Sequence, residues 1–296
     1  MIPPSATICF IGFGEAGSIL GNDLAQRGLA VRCYDILFDV ATERARMLRR
    51  CADARVDPAT TAAAALRGAK LVVSAVTTTA SRDVARDAAP YLAAGQIFLD
   101  LNSVSPETRR GNALLIEASG ASYVEAAVMA PVPPQRLRVP MLLGGPRAAE
   151  LAPALNALGL NVEAVAATIG VASAIKMCRS ILVKGLEALT VESLLTARRY
   201  GAEDAVLASL AKSYPGMDWD GRLPDYLISR VAEHGRRRAA EMREVAETVA
   251  ATGMAPLMAD ATAARQDALV DAMQARGIAC DPEGDFSWRT LADGLS

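Results

Sequence analysis

Apolar and polar positions along the chain follow two different periods. Up to about residue 165 the apolar residues gather in short runs: Thr7 to Phe13, Ala30 to Tyr34, Leu71 to Val76, Ile97 to Asp100, Ser122 to Ala127, Pro140 to Leu143 and Asn161 to Val165. Helical segments separate them. Short β-rich runs alternating with helices predict a doubly wound α/β layer structure with a mainly parallel sheet. After Gly170 the pattern becomes long Ala/Leu-rich stretches at helical period, with no strand signal as far as Arg276. The expected division is therefore an α/β domain over 1–167 and an all-α domain over 168–296. The first helix of the second part, Ala172 to Tyr200, is long enough to link the two, and Gly253 and Gly277 read as helix stops.

Composition narrows the class. A chain of 296 residues with 52% hydrophobic positions can fill two cores, and a net charge of −2 gives no electrostatic case for nucleic acid. Cys9, Cys33, Cys51, Cys178 and Cys280 are odd in number, scattered and mostly embedded in apolar runs, which reads as buried thiols in a reducing cytoplasm. Met1-Ile2-Pro3-Pro4 lacks the basic region of a signal peptide, and no window approaches the ~18–20 continuous apolar residues of a membrane span. A soluble, cytoplasmic protein is expected.

Candidate chemistry begins at the first turn. The run from Thr7 leads into Gly12-Phe13-Gly14-Glu15-Ala16-Gly17, followed by the amphipathic Ile19-Leu20-Leu24, a second apolar run and Asp35. In such a turn the first glycine makes the tight bend, the second lets a diphosphate approach the backbone, and the third lets helix and strand pack closely. The helix directs its free N–H groups and positive end at the phosphates. Asp35 follows Gly17 by 18 residues, near the ~20 at which a carboxylate meets a ribose diol. The pattern predicts a Rossmann-type site for NAD rather than NADP, since the acid repels a 2′-phosphate. Glu15 reads as a first-turn acid suited to the helix end. Val76, Thr77 and Asn102 complete the expected cofactor contacts.

The long helix offers the reactive group. Ile175, Cys178, Leu182, Leu186 and Leu189 form one apolar face, while Lys176, Ser180, Lys184 and Glu187 form another with Arg179 at its edge. A polar stripe on an otherwise weakly charged helix predicts a buried element facing an anionic substrate. Burial and neighbouring cations bring an ammonium toward its working pH, so a lysine of this stripe, Lys176 or Lys184, is a candidate general acid or base.

Three motifs in order carry a family resemblance. The glycine turn, Asp100-Leu101-Asn102-Ser103-Val104-Ser105-Pro106, and Gly170-Val171-Ala172-Ser173-Ala174-Ile175-Lys176 together resemble the β-hydroxyacid dehydrogenases, which include 3-hydroxyisobutyrate and 6-phosphogluconate dehydrogenases. The segment from His234 to Gln266 resembles a less characterised 6-phosphogluconate dehydrogenase-like branch. The resemblance implies that Lys176 takes the hydroxyl proton as hydride leaves the adjacent carbon. It also implies an active site between the domains, a small β-hydroxy acid or sugar acid as substrate, and a homodimer paired through the helical domains.

The chain departs from the family at the substrate side. Asn102-Ser103 replaces a Ser-Thr pair, and the substrate loop, commonly Asp-Ala-Pro-Val-Ser-Gly-Gly, reads Glu125-Ala126-Ala127-Val128-Met129-Ala130-Pro131. Ser180 stands where the family has Asn, with Arg179 able to hold a carboxylate bidentately. Asn102, Ser103, Met129, Ala130, Arg179, Ser180 and Lys184 are the expected substrate contacts. Decarboxylation or rearrangement of the β-keto product is an expected follow-on. An imine or ketone reductase and a non-catalytic dinucleotide-binding protein are the alternatives.

Other features read more plainly. His234 beside Arg236, Arg237 and Arg238, with Glu241 and Glu244, suggests a solvated helix face held by i to i+4 pairs. Pro131, Pro133 and Pro134 suggest a rigid connector, and Trp288 and Arg289 either a packing anchor or a contact to a partner subunit. One histidine and no acid cluster predict no metal.

Overall fold

A computed structural model describes residues 7–280 and 285–296; Met1 to Pro4, on which the signal-peptide expectation rests, lie outside the described residues. The strands are β1 (Thr7–Ile11), β2 (Ala30–Tyr34), β3 (Asp57–Pro58), β4 (Leu71–Ser74), β5 (Ile97–Asp100), β6 (Ser122–Val128), β7 (Pro140–Gly144) and β8 (Asn161–Ala166). They form one sheet in the order β3-β2-β1-β4-β5-β6-β7-β8. All neighbours are parallel except β6 and β7. β4 and β5 are buried at every position, as central strands covered on both faces must be.

Alternation along β1 divides two cores. Ile8 and Phe10 pack with α1 (Glu15–Gln26), α2 (Ala41–Ala54) and α7 (Ala148–Ala157) through Leu20, Leu24, Met47, Leu151 and Leu155. Cys9 and Ile11 face the opposite layer, where α3 (Ala62–Leu66), α4 (Ser81–Ala88) and α5 (Pro106–Glu117) supply Leu66, Ala85 and Ile116. The order of connection reverses between β1 and β4, so a crevice opens at the carboxyl ends of these strands. The proline cluster connects β6 and β7 through a helical turn, α6 (Val132–Gln135).

The chain divides into two compact units, Met1–Lys176 and Met177–Ser296. The helix α8 (Val171–Arg199) runs through the division, followed by α9 (Glu203–Ser213), α10 (Leu223–Ala250), α11 (Leu257–Ala275) and α12 (Trp288–Gly294). In the second unit Val191, Leu194, Leu207, Ile228, Val231, Leu269 and Trp288 share a core. Trp288 is therefore a packing anchor within its own unit, and Arg289 lies over its ring at 4.9 Å. No helix among the described residues is long and apolar enough to cross a membrane.

Two sequence expectations change. The apolar stripe of α8 is the open one: Ile175, Cys178, Leu182 and Leu189 are exposed, with Leu182 at 78%, whereas Ser180, Lys184 and Glu187 are buried. Ionic partners on α10 make burial of the polar stripe tolerable. Cys178 is accordingly an accessible thiol and Cys280 a half-buried one, while Cys9, Cys33 and Cys51 are buried.

Candidate active site

The glycine turn bends at the end of β1, where the Gly12 N–H donates to the Tyr34 carbonyl at the end of β2 (2.9 Å). Gly12 has φ +88°, and a Cβ there would lie 2.5 Å from the Ala75 oxygen; one on Gly17 would lie 2.3 Å from the Gly12 oxygen. Both are required by the protein's own packing. A Cβ on Gly14 meets nothing within 4 Å, so the protein's own packing does not require a glycine there. Gly14 is also the N-cap of α1, with Glu15 exposed in the first turn and Ala16 half-buried beside it. The Phe13 side chain is fully buried beneath the turn.

These facts separate two substitutions. Gly12→Ala destabilises the fold by about 1–3 kcal/mol through backbone strain. Gly14→Ala leaves the thermal midpoint within a degree or two of wild type yet weakens dinucleotide binding about tenfold or more, measured by nicotinamide fluorescence titration.

Asp35, half-buried after β2, organises the same turn. Its Oδ2 accepts the Phe13 N–H (2.7 Å) and its Oδ1 the Leu37 N–H (2.9 Å). Each oxygen keeps a further lone pair, so the carboxylate can still accept from a ribose diol. Val76 and exposed Thr77 follow β4, and the Val76 N–H donates to Asn102 Oδ1 (2.8 Å). The Asn102 amide donates to Ser74 Oγ (2.9 Å) and Ser81 Oγ (3.3 Å), so this buried side chain shapes the loop at Val76 with both its N–H groups committed. Ser103 is half-buried and its carbonyl accepts from Thr78 (3.2 Å). Half-buried Met129 and Ala130 follow β6, the Met129 N–H donating to the Pro140 carbonyl (2.9 Å). Gly12, Asp35, Val76, Asn102 and Met129 thus line the carboxyl ends of neighbouring strands.

A buried ionic network lies beneath this edge. Arg109 is 1% exposed and 2.7 Å from Asp100; it also donates to the Asp100 carbonyl, the Asn102 carbonyl and Ser173 Oγ. Asp100 further accepts from Tyr123 (2.8 Å) and Asn112 (3.2 Å), and Glu125 lies 3.9 Å from Arg109. Burial opposes the Arg109 charge, but Asp100, Tyr123 and Glu125 hold its pKa above the ordinary value. Burial, then the Asp100 charge, pushes the Tyr123 phenol well up. Sequence reasoning assigned Arg109, Glu125 and Ser173 no role, because only strand register brings them together.

On α8, Lys176 is half-buried, Arg179 exposed and Ser180 buried. Lys184 pairs with Glu241 (2.5 Å). Burial lowers its pKa and Glu241 opposes the shift. Glu187, raised by burial and opposed by Arg238, accepts from Arg238 (2.9 Å). The charge of Lys184 is answered inside the helical unit, which removes it from the proposed substrate contacts.

The arginine-rich face of α10 keeps Arg236 and Arg237 exposed, as expected of a solvated face, but its pairs also cross to other helices. Arg236 reaches Asp267 (3.0 Å) and Asp271 on α11, and Arg238 reaches Glu187 on α8; Arg237 to Glu241 (3.7 Å) is the i to i+4 pair. Partial burial, then Arg230 and Arg237, lowers the His234 pKa.

Comparison with known proteins decides the family. Residues 7–168, more than half the chain, match the NAD binding domain of 6-phosphogluconate dehydrogenase. The chain belongs to the β-hydroxyacid dehydrogenase superfamily. Residues 197–269 of this superfamily member match a domain of unknown function (DUF1932), which contains the segment set apart in the sequence. A solved conserved hypothetical protein from Sinorhizobium meliloti 1021 is 39% identical, with all of this chain and 96% of that one covered and a TM-score of 0.81. A second solved protein of unknown function, described as similar in structure to 3-hydroxyacid dehydrogenases, is 31% identical over 90% of this chain and 98% of its own, TM-score 0.73. The 3-hydroxyisobutyrate dehydrogenase of Pseudomonas aeruginosa is 26% identical over 219 residues, 72% of this chain and 71% of the relative.

Proposed function

We propose that this superfamily member is an NAD-dependent dehydrogenase that oxidises a small β-hydroxy acid or sugar acid, with Lys176 as the general base. The observation that supports it most is the opening at Gly14, a backbone position that neither clash nor strain in the protein explains. The residues fit a dinucleotide: the turn from Gly12 to Gly17 for the diphosphate, Asp35 for the ribose diol, and Val76, Thr77 and Asn102 for the nicotinamide side. A dinucleotide held by these residues would supply the hydride acceptor.

The chain's own contribution is proton transfer and binding. Lys176 Nζ removes the hydroxyl proton as the carbinol C–H bond breaks, and returns it in the reverse direction. Arg179, Ser180, Ser103, Met129 and Ala130 are the proposed substrate contacts, with the guanidinium of Arg179 holding the carboxylate. Residues 1–167 would serve as the dinucleotide domain and 168–296 as the substrate and pairing domain. The exposed Ile175, Leu182 and Leu189 support a homodimer.

Wild-type protein mixed with NAD or NADP and a panel of β-hydroxy acids of graded length reports reduced nicotinamide by absorbance. Turnover of at least one acid is expected. Silence across the panel with turnover of cyclic imines would favour the reductase alternative, and silence with both would leave a binding protein. For cofactor choice, Asp35→Ser moves the kcat/KM ratio toward NADP by about tenfold or more, as the repelling carboxylate is removed; a wild type that already prefers NADP contradicts the ribose argument.

A further inference from the structure

Glu125 is the acid of the buried network whose nearest partners lie at the start of α8, with Arg109 farther off at 3.9 Å. It stands on β6 in register with Asp100 on β5 and Gly144 on β7. Two fully buried acids side by side are costly unless each is faced by donors or cations. Arg109, Tyr123 and Asn112 answer Asp100. Glu125 finds its partners at the start of α8: Oε1 accepts from the N–H of Gly170 (2.5 Å) and of Ala172 (3.3 Å), and Oε2 from the N–H of Ser173 (3.2 Å) and from its hydroxyl. Every partner is a donor, the pattern of a carboxylate.

A helix begins with unpaired N–H groups and a positive end, and here a sheet residue answers both. The surroundings are shaped for it. A Cβ on Gly144 would lie 2.4 Å from Glu125 Oε1, and Gly170 takes φ +100° to deliver its N–H. Ser173, held by Glu125 on one side and by Arg109 (3.1 Å) on the other, precedes Lys176 by three residues, hence on the same side of the helix one turn earlier.

We propose that Glu125 is the positioning residue of Lys176: by capping α8 from the sheet it fixes the rotation and height of the helix turn that carries the lysine. Its charge has a second effect. A carboxylate at the helix start offsets the positive helix end, so its removal makes the Lys176 ammonium easier to deprotonate. The charged and titratable groups around the carboxylate are Asp100, Tyr123 and Arg109, and Arg110 lies beside Gly170. This inference rests on the reading of Lys176 as the proton-transfer group.

The test compares wild type, Glu125→Gln and Glu125→Asp as full-length protein. Competitive acetylation of lysines across pH, read by mass spectrometry, gives the deprotonation midpoint of Lys176 without any turnover, with exposed Lys212 as the internal control. Glu125→Gln is expected to lower the Lys176 midpoint by about half a pH unit, leave that of Lys212 unmoved, and reduce kcat about tenfold with dinucleotide KM unchanged. A Lys176 midpoint equal to wild type in folded Glu125→Gln would overturn the proposal, because a purely structural cap alters stability alone. If Glu125→Gln yields no folded protein, Glu125→Asp, whose charge is drawn back by one methylene, decides in the same assay: a midpoint moved in the same direction supports the proposal and an unmoved one refutes it. Absence of wild-type turnover would strike the dehydrogenase reading alone, since the acetylation midpoints still judge the positioning of Lys176.

Discussion

Lys176→Ala lowers kcat for hydroxy-acid oxidation by a factor of about 10²–10⁴, the usual worth of a placed acid or base, while dinucleotide affinity stays at the wild-type value. The two halves of this expectation come from different parts of the chain. Dinucleotide binding draws on the glycine turn and Asp35, at the ends of β1 and β2, and none of those contacts involves α8. The proposed proton transfer draws on Lys176, the one lysine of the first α8 turns. Stopped-flow or steady-state assays over pH separate them: in wild type, oxidation accelerates as pH rises through the deprotonation of the base and the reverse reaction slows, whereas Lys176→Ala loses that limb. An alanine variant with the wild-type profile would move the proton-transfer role to another group and remove the main support for alcohol chemistry.

Arg109→Met costs about 3–5 kcal/mol of folding stability, measured by urea denaturation, and is the most damaging single change expected in the α/β unit. Methionine keeps much of the aliphatic volume, so the loss is not one of packing. The guanidinium is the cation facing both Asp100 and Glu125, and it satisfies the carbonyls of Asp100 and Asn102 in the same stroke. Without it two buried carboxylates and two buried carbonyls lose their shared partner. Surface arginines offer the contrast. Arg86, paired with Asp83 and Asp87 in the open, contributes within ~1 kcal/mol, and its alanine variant unfolds close to wild type.

The order of these effects follows what a sequence can display. The glycine turn, Asp35 and the strand runs are legible because each is dictated locally: a turn needs φ near +88° at Gly12, and a buried strand needs consecutive apolar residues. The helical half is legible for the same reason, since period alone marks α8, α10 and α11. Pairings across the fold are not local. Nothing in the run Ser122 to Val128 tells that Glu125 sits beside Asp100 and reaches Ser173, because that depends on the register of β5, β6 and β7. The stripe on α8 shows the same limit. Its periodicity separates Ile175, Leu182 and Leu189 from Ser180, Lys184 and Glu187, but which side turns inward depends on Glu241 and Arg238, some fifty residues away on another helix. Charges inside and leucines outside reverse the default only because those partners exist.

The segment from β8 to Lys176 behaves as a measured length of chain. β8 carries an irregularity against β7, with Leu143 opposite Ala164 and Gly144 opposite Ala166, and Gly170 is already bonded to Glu125 four residues later. Removing or adding one residue there would turn the helix by ~100° or break its cap, and the lysine would face elsewhere. The opposite edge of the sheet has no such constraint. Gly28, Gly68 and Gly95 precede β2, β4 and β5 with positive φ and no neighbouring atom within 4 Å of a Cβ, so those turns can accept inserted loops or a fused domain. An engineer lengthening this chain should therefore work from the glycine turns of one edge and keep 161–176 at its present length.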